Sequence, residues 1–178
     1  AMAYTKQVKG AAILNDAFST TYGDGVALCS TAHPLVSGGT NSNTPSTAAD
    51  LNETSLEAAI ISISGWTDER DLLIAARPKK LVIPPALQFV ATRLLETEGR
   101  VSTADNDLNA IKSNGSIPEG YSVNHYLTDV DAWFVMTDIP MQTSMDADFD
   151  TGNSRYKARE RYSFGVSDPL GVYGSPGA

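Results

Sequence analysis

The stretch Lys80-Leu81-Val82-Ile83-Pro84-Pro85-Ala86-Leu87-Gln88-Phe89-Val90-Ala91-Thr92-Arg93-Leu94 predicts a buried strand followed directly by an amphipathic helix. The apolar run up to Ile83 is short and two prolines stop it, which is typical of a strand inside a sheet. Pro85 suits the first turn of a helix, because an N–H group there has no partner within the helix. Apolar residues then recur at i, i+3, i+4 and i+7, so that they share one helix face. They are Leu87, Val90, Ala91 and Leu94.

Two other helices are predicted on either side of this unit. Thr54-Ser55-Leu56-Glu57 fits a capping box, in which a hydroxyl and a carboxylate bind the free amides of a helix start. An apolar stripe at helical spacing continues this helix from Thr54 to about Trp66. A short third helix is predicted from Asp105 to about Lys112, because Leu108 and Ile111 fall on one face.

Turn-forming residues divide the rest of the chain. Residues 37–50 are almost all small or turn-forming, and a linker is favoured there over a binding loop. His33-Pro34 is interpreted as the end of a strand that enters this loop. After a turn at Asp129–Asp131, the run Trp133-Phe134-Val135-Met136 predicts a further strand. Other turns are predicted at Gly23-Asp24-Gly25, Asn114-Gly115 and Glu119-Gly120.

The last part of the chain has a different period. From Met145 to Val166 the residues alternate in character, as in a strand with two different faces, and Thr151-Gly152-Asn153 is a candidate hairpin turn. After this turn, four cations lie on one strand face. They form what we call the basic row: Arg155, Lys157, Arg159 and Arg161. Helices combined with separated strands, without a regular strand–helix repeat, predict an α+β fold.

The composition excludes several classes of protein. The 178 residues include 42% hydrophobic residues, enough for the core of one domain. The formal net charge of −8 disfavours binding to nucleic acid through its phosphates. No apolar run approaches the roughly 18 residues of a membrane span, and the N-terminal residues do not have the pattern of a secretory signal. The single cysteine, Cys29, cannot form an intrachain disulfide and is compatible with a reducing compartment.

The basic row has three interpretations. In the first, the row is a solvated face with intramolecular ion pairs. Asp146, Asp148 and Asp150 precede it on a segment that is predicted to pair with it in a hairpin. Alternatively, it docks an acidic neighbouring protein. Nucleic acid is the third interpretation, which we disfavour because Tyr156 and Tyr162 point away from the cationic face and cannot stack on bases there.

The sequence offers few candidates for catalysis or metal binding. Cys29 with His33 or His125 is the pattern of a thiol enzyme, provided that the thiol and an imidazole meet in space. The segment beginning at Asp146 lacks the glycine and the terminal glutamate of a calcium loop, since Lys157 stands at the last position. Phosphate-binding and serine-hydrolase motifs are absent. We therefore predict no catalytic residues, no metal site and no cofactor.

Four collinear stretches resemble the major capsid protein of tailed bacteriophages, in the prophage group related to the Mu-type major head subunit. They are Asp24 to Pro34, Gly38 to Ser46, Arg77 to Pro85, and Asp148 to Asn153 continued by Arg155 to Tyr162 and Ser167-Asp168-Pro169. The resemblance implies a Hong Kong-phage-type capsid fold and a structural protein, not an enzyme. It also implies self-assembly into pentamers and hexamers of an icosahedral head that encloses DNA. An encapsulin-like shell is an alternative with the same fold.

The resemblance further implies a division of the chain. Residues 1–84 would form a peripheral domain with a spine helix at about 54–66, residues 85–140 an axial domain, and residues 141–178 strands that return to the peripheral sheet. The N-terminal arm and extended loop of such proteins are expected to be largely missing, as is part of the connection between Pro140 and Met141, so the chain is interpreted as a trimmed, assembly-deficient core.

The expected contacts are with copies of the same chain. Candidate subunit-interface residues are the basic row together with Glu53 and Glu57. Scaffold, portal and decoration proteins are further expected partners, whereas a membrane and sequence-specific nucleic-acid binding are not. The expected location is the virion capsid, assembled in the cytoplasm of the bacterial host.

Overall fold

A four-stranded sheet lies at the centre of the fold in the computed structural model, which describes residues 2–99, 107–138 and 168–178. Its strands are β3 (Arg77–Ile83), β4 (Tyr121–Val123), β5 (Trp133–Asp138) and β6 (Val172–Ser175), in the order β4-β3-β5-β6. β3 pairs in parallel with β4 and antiparallel with β5, and β5 pairs antiparallel with β6. The fold is therefore mixed α+β, as predicted.

The remaining elements surround this sheet. A second, two-stranded sheet pairs β1 (His33–Pro34) with β2 (Thr40–Asn41). The helices are α1 (Met2–Asn15), α2 (Glu53–Ser64), α3 (Gln88–Glu96) and α4 (Ala110–Ser113), with 3₁₀ turns at Pro85–Leu87 and Pro169–Gly171. Within the described ranges, none of the helices is long and apolar enough to cross a bilayer.

The sheet is buried on both faces because strand residues alternate between two apolar clusters. Trp133 and Val135 of β5 pack into one cluster with the buried side chains of α2 and α3, whereas Phe134 packs into the other beside Leu14 of α1. Burying a side chain of this size stabilises the fold by about 1.5–3 kcal/mol. The central strands are therefore the best-anchored part of the molecule.

Residues 43–49 cover the outer edge of β6. The backbone oxygen of Asn43 accepts from Gly174 N at 3.0 Å, and Ser175 Oγ donates to Ala49 O at 2.8 Å. Trp133 Nε1 donates to the same Ala49 oxygen at 3.0 Å. The loop thus satisfies an edge that would otherwise present unpaired backbone groups.

The local predictions around β3 are confirmed, while the predicted bounds of two other helices are wrong. α2 begins at Glu53, not Thr54, because Asn52 is the N-cap and forms the capping box with Ser55. The helix ends at Ser64, where Gly65 caps it, so Trp66 lies beyond it. The third helix is only Ala110–Ser113: Asn109 caps it, and Leu108 is exposed instead of sharing the buried face of Ile111.

Two other regions differ from the sequence-based expectation, and a third lies outside the described residues. Residues 37–50 are not wholly loop, since Thr40 and Asn41 pair with β1. α1 was not anticipated, because its apolar residues form only a weak stripe next to Lys6 and Lys9. The predicted hairpin of residues 145–166, with the basic row, lies outside the described residues.

Candidate subunit-contact site

The fully buried side chain of Asn43 connects the loop after residue 28 to the C-terminal strand. Its Nδ2 donates to the backbone oxygens of Leu28 at 2.7 Å, Pro169 at 2.9 Å and Val172 at 3.1 Å. Its Oδ1 accepts from Ser30 N at 2.8 Å. Because every polar atom of this amide is used, two distant segments are held in one position.

His33 lies between Asn43 and Asp24. Its Nδ1 is 2.5 Å from Asp24 Oδ2, and its Nε2 is 3.0 Å from Asn43 Oδ1. The Asn43 amide nitrogen is directed at three carbonyls, so Nε2 of His33 must donate to the amide oxygen. Burial by itself raises the pKa of Asp24, but the hydrogen bonds from His33 and from the Val26 N–H outweigh it and lower that pKa.

The surroundings of Cys29 do not favour the thiol-enzyme alternative. The residue is buried in the apolar cluster of Phe134, and burial raises the pKa of its thiol to about 12. A nucleophilic thiol needs a lowered pKa and a nearby base. Both ring nitrogens of His33 instead face Asp24 and Asn43, and His125 lies at the surface.

A cleft of about 540 Å³ opens beside His33. Loops around residues 22–41, 67–74 and 168–170 form its walls, and its described lining contains four carboxylates but no Lys or Arg. We call this feature the acidic cleft, after its carboxylates: Asp24, Asp68, Glu69 and Asp168.

Backbone amides hold all four of these carboxylates through one oxygen each, and Asp24 Oδ1 accepts from Val26 N at 3.2 Å. Asp68 Oδ1 accepts from the N–H groups of Leu72 and Arg70, at 2.9 and 2.8 Å, and these bonds lower the pKa of Asp68. Glu69 Oε2 accepts from Val36 N at 2.9 Å. Asp168 Oδ1 accepts from Leu170 N at 2.8 Å. The backbone thus orients the carboxylates, and the nearby charge of Arg70 also lowers the pKa of Asp68.

Exposed apolar side chains lie on the two turns next to the acidic cleft. Asn41 Nδ2 donates to Thr67 O at 2.7 Å, and this bond and that of Glu69 to Val36 join the two turns. The turns therefore form one surface. Its apolar members, which we call the apolar rim, are Val36 (88% exposed), Leu72 (61%) and Leu73 (66%).

The structure places two of the predicted interface residues, Glu53 and Glu57, away from this cleft. Glu53 and Glu57 are half-buried on α2, and Glu53 lines a separate depression with Arg93 of α3. The basic row lies outside the described residues. Sequence reasoning missed Asp24 and Asn43: the first was assigned only to a turn, and the second stands in a segment that is indistinguishable in composition from a linker.

Within the described ranges, no three His, Cys, Asp or Glu side chains converge as metal ligands. The polar groups around the cleft are instead satisfied by each other and by the backbone, as the contacts of Asn43 and Asp68 illustrate. The arrangement suits contact with another macromolecule better than chemistry on a small molecule.

Comparison with known proteins adds one finding. A family model described as phage capsid protein matches residues 1–175. Neither the curated proteins nor the solved structures give a significant match to this chain. Because the matched region covers nearly the whole sequence, the chain belongs to the phage capsid protein family and has a structural role in the phage head.

Proposed function

We propose that this chain tiles the icosahedral head of a tailed phage or prophage, in the Mu-type group and with the Hong Kong-phage-type fold. The observation that carries the proposal is the family match over residues 1–175. The collinear resemblance of four stretches supports the finer group. The building units are pentamers and hexamers of identical subunits around packaged DNA, assembled in the bacterial cytoplasm.

We propose the same division of the chain as the resemblance implies. Residues 1–84 are the peripheral domain with α2 as spine helix, residues 85–140 the axial domain, and residues 141–178 the return strands. The position of β6, between β5 and residues 43–49, supports a C-terminal return to the first of these regions.

The protein acts through its surfaces and without a catalytic centre. The buried, protonated thiol of Cys29 supports this, because no activated nucleophile arises there. A capsid subunit needs self-complementary surfaces instead. We assign the basic row, Glu53 and Glu57 to such contacts between subunits. Scaffold, portal and decoration proteins are the further partners that a phage head requires.

Electron microscopy and sedimentation of the full-length gene product, expressed alone and with its scaffold, test this function. Shells, or capsomers of five and six subunits, are the expected result. Monodisperse monomers under all assembly conditions would contradict it. Nuclease-protected DNA inside particles from infected or induced cells separates a phage head from an encapsulin-like shell, which encloses protein.

A further inference from the structure

We propose that the acidic cleft and apolar rim are the docking surface for the basic row of a second copy of this chain. This inference rests on the proposed self-assembly and deepens it, since it names the surface that the basic row contacts.

The first argument is charge. Among the described residues, Asp68, Glu69 and Asp168 form no ion pair within 4.0 Å, and the described ion pairs of lysines lie elsewhere, for example between Lys80 and Glu119. The basic row supplies four of the 13 cations of the chain within seven residues. Three of them are arginines, whose planar guanidinium groups bind carboxylates through two parallel hydrogen bonds.

The second argument is the apolar rim. Arg and Lys side chains carry apolar stems, which cover apolar surface while their charged ends reach outward. Leu72 lies on the turn that carries Asp68 and Glu69, and Val36 N donates to Glu69 from the neighbouring turn. The apolar stems and the charged ends of the basic row would therefore meet matching chemistry.

The third argument concerns which copy supplies the basic row. Residues 139–167 connect β5 to the turn that begins at Pro169, and Asp168 itself lines the acidic cleft. In the hairpin that the sequence predicts, a rise of about 3.3 Å per residue would put Arg159 roughly 30 Å from Asp168. A body of ~140 residues has a radius of gyration of only about 14 Å. If the arm is extended in this way, it would carry the basic row away from its own cleft and towards a neighbouring subunit.

A charge exchange between Glu69→Lys and Arg159→Glu, made in the complete chain, tests this assignment. Each single variant places like charges at the contact, so we expect the apparent association constant from sedimentation to fall by about tenfold or more. An equimolar mixture of the two variants allows matched contacts in both directions. The lysine introduced by the first variant faces the glutamate introduced by the second, and the native pair forms the other contact. We therefore expect the mixture to recover association.

The matched control is Glu96→Lys on α3, which reverses one exposed carboxylate outside the acidic cleft and should leave association unchanged. Circular dichroism melting of every variant verifies folding. Because Glu69 also holds Val36 N, Glu69→Gln is included: it keeps an acceptor oxygen and should give an intermediate loss of association.

Three results would overturn the inference. The first is normal association of both single variants. The second is failure of the mixture to recover, which points to a contact within one chain. The third is an equal effect of Glu96→Lys, which points to net charge alone. Assembly that persists in any of these cases leaves the proposed function standing, whereas a native chain that never associates contradicts the proposed function itself.

Discussion

The side-chain amide of Asn43 donates a 2.9 Å hydrogen bond to the backbone oxygen of Pro169, 126 residues further along the chain. The same nitrogen also serves the carbonyls of Leu28 and Val172, and the amide oxygen faces His33. One side chain therefore holds the wall of the acidic cleft to the edge strand of the main sheet.

Replacing Asn43 by Leu, which has a similar volume, should lower the free energy of unfolding by about 3–5 kcal/mol, because buried carbonyls and an imidazole lose their partner. Urea unfolding followed by the fluorescence of the buried Trp66 and Trp133 measures this loss. Asn41→Leu is the control: its amide makes one long-range backbone bond, to Thr67, and about 1 kcal/mol is expected. Equal losses would contradict the role assigned to Asn43.

Gly174 should not tolerate a methyl group. A Cβ there would lie 2.7 Å from Cys29 Sγ and 2.8 Å from Phe134 Cδ1, closer than real contacts allow. Gly174→Ala should therefore cost about 1–3 kcal/mol by overpacking, measured by thermal or urea unfolding. Gly171→Ala, with nothing within 4 Å, should have little effect. Adding Cys29→Ala should recover part of the loss if the sulfur is the obstacle.

The thiol of Cys29 should react slowly in the native protein. With its pKa at about 12 instead of 9.0, the thiolate fraction at neutral pH is roughly a thousandfold below that of a free thiol, and burial restricts access further. Stopped-flow measurement with a disulfide reagent should show fast labelling only in denaturant. Fast labelling of the folded protein near pH 7 would contradict this expectation and support the alternative of a thiol enzyme.

Asp24 should contribute to acid sensitivity. Its pKa is lower in the folded protein than in the unfolded chain, so its stabilising contribution is complete above about pH 4 and is lost as the pH falls through the folded value. Asp24→Asn should lower stability at pH 7 and flatten the stability profile below about pH 4. Asp16→Asn, at an exposed position after α1, is the matched control. An unchanged slope in Asp24→Asn would show that the His33 contact does not bias Asp24.

Sequence reasoning succeeds where one local signal is sufficient. Pro84 and Pro85 mark the end of β3 and the start of the following turn, and the alternation of Trp133 and Phe134 between two apolar clusters follows from strand geometry. The start of α2 was misplaced because Asn52 and Thr54 are both good caps. The hydrogen bonds between Asn52 and Ser55 show that the first of them is the N-cap.

The candidate site was less accessible to prediction. His33 and Asp24 are nine residues apart and belong to different local patterns, so nothing in the sequence pairs them. The acidic cleft collects carboxylates from three distant loops, which only the tertiary fold brings together. By contrast, the basic row is visible at once, because its four cations stand at alternate positions of one short stretch of sequence.

The placement of β6 has a consequence for biosynthesis. This strand lies between β5 and residues 43–49. Both of these neighbours are translated before it. While the ribosome is still producing the intervening segment, Trp133 to Met136 present an open, strongly apolar edge, and Asn43 lacks its partners Pro169 and Val172. Such an edge invites pairing with other nascent chains. The protein is therefore vulnerable to misassociation until β6 emerges, and a chaperone that shields β5 at this stage would raise the yield of folded subunits.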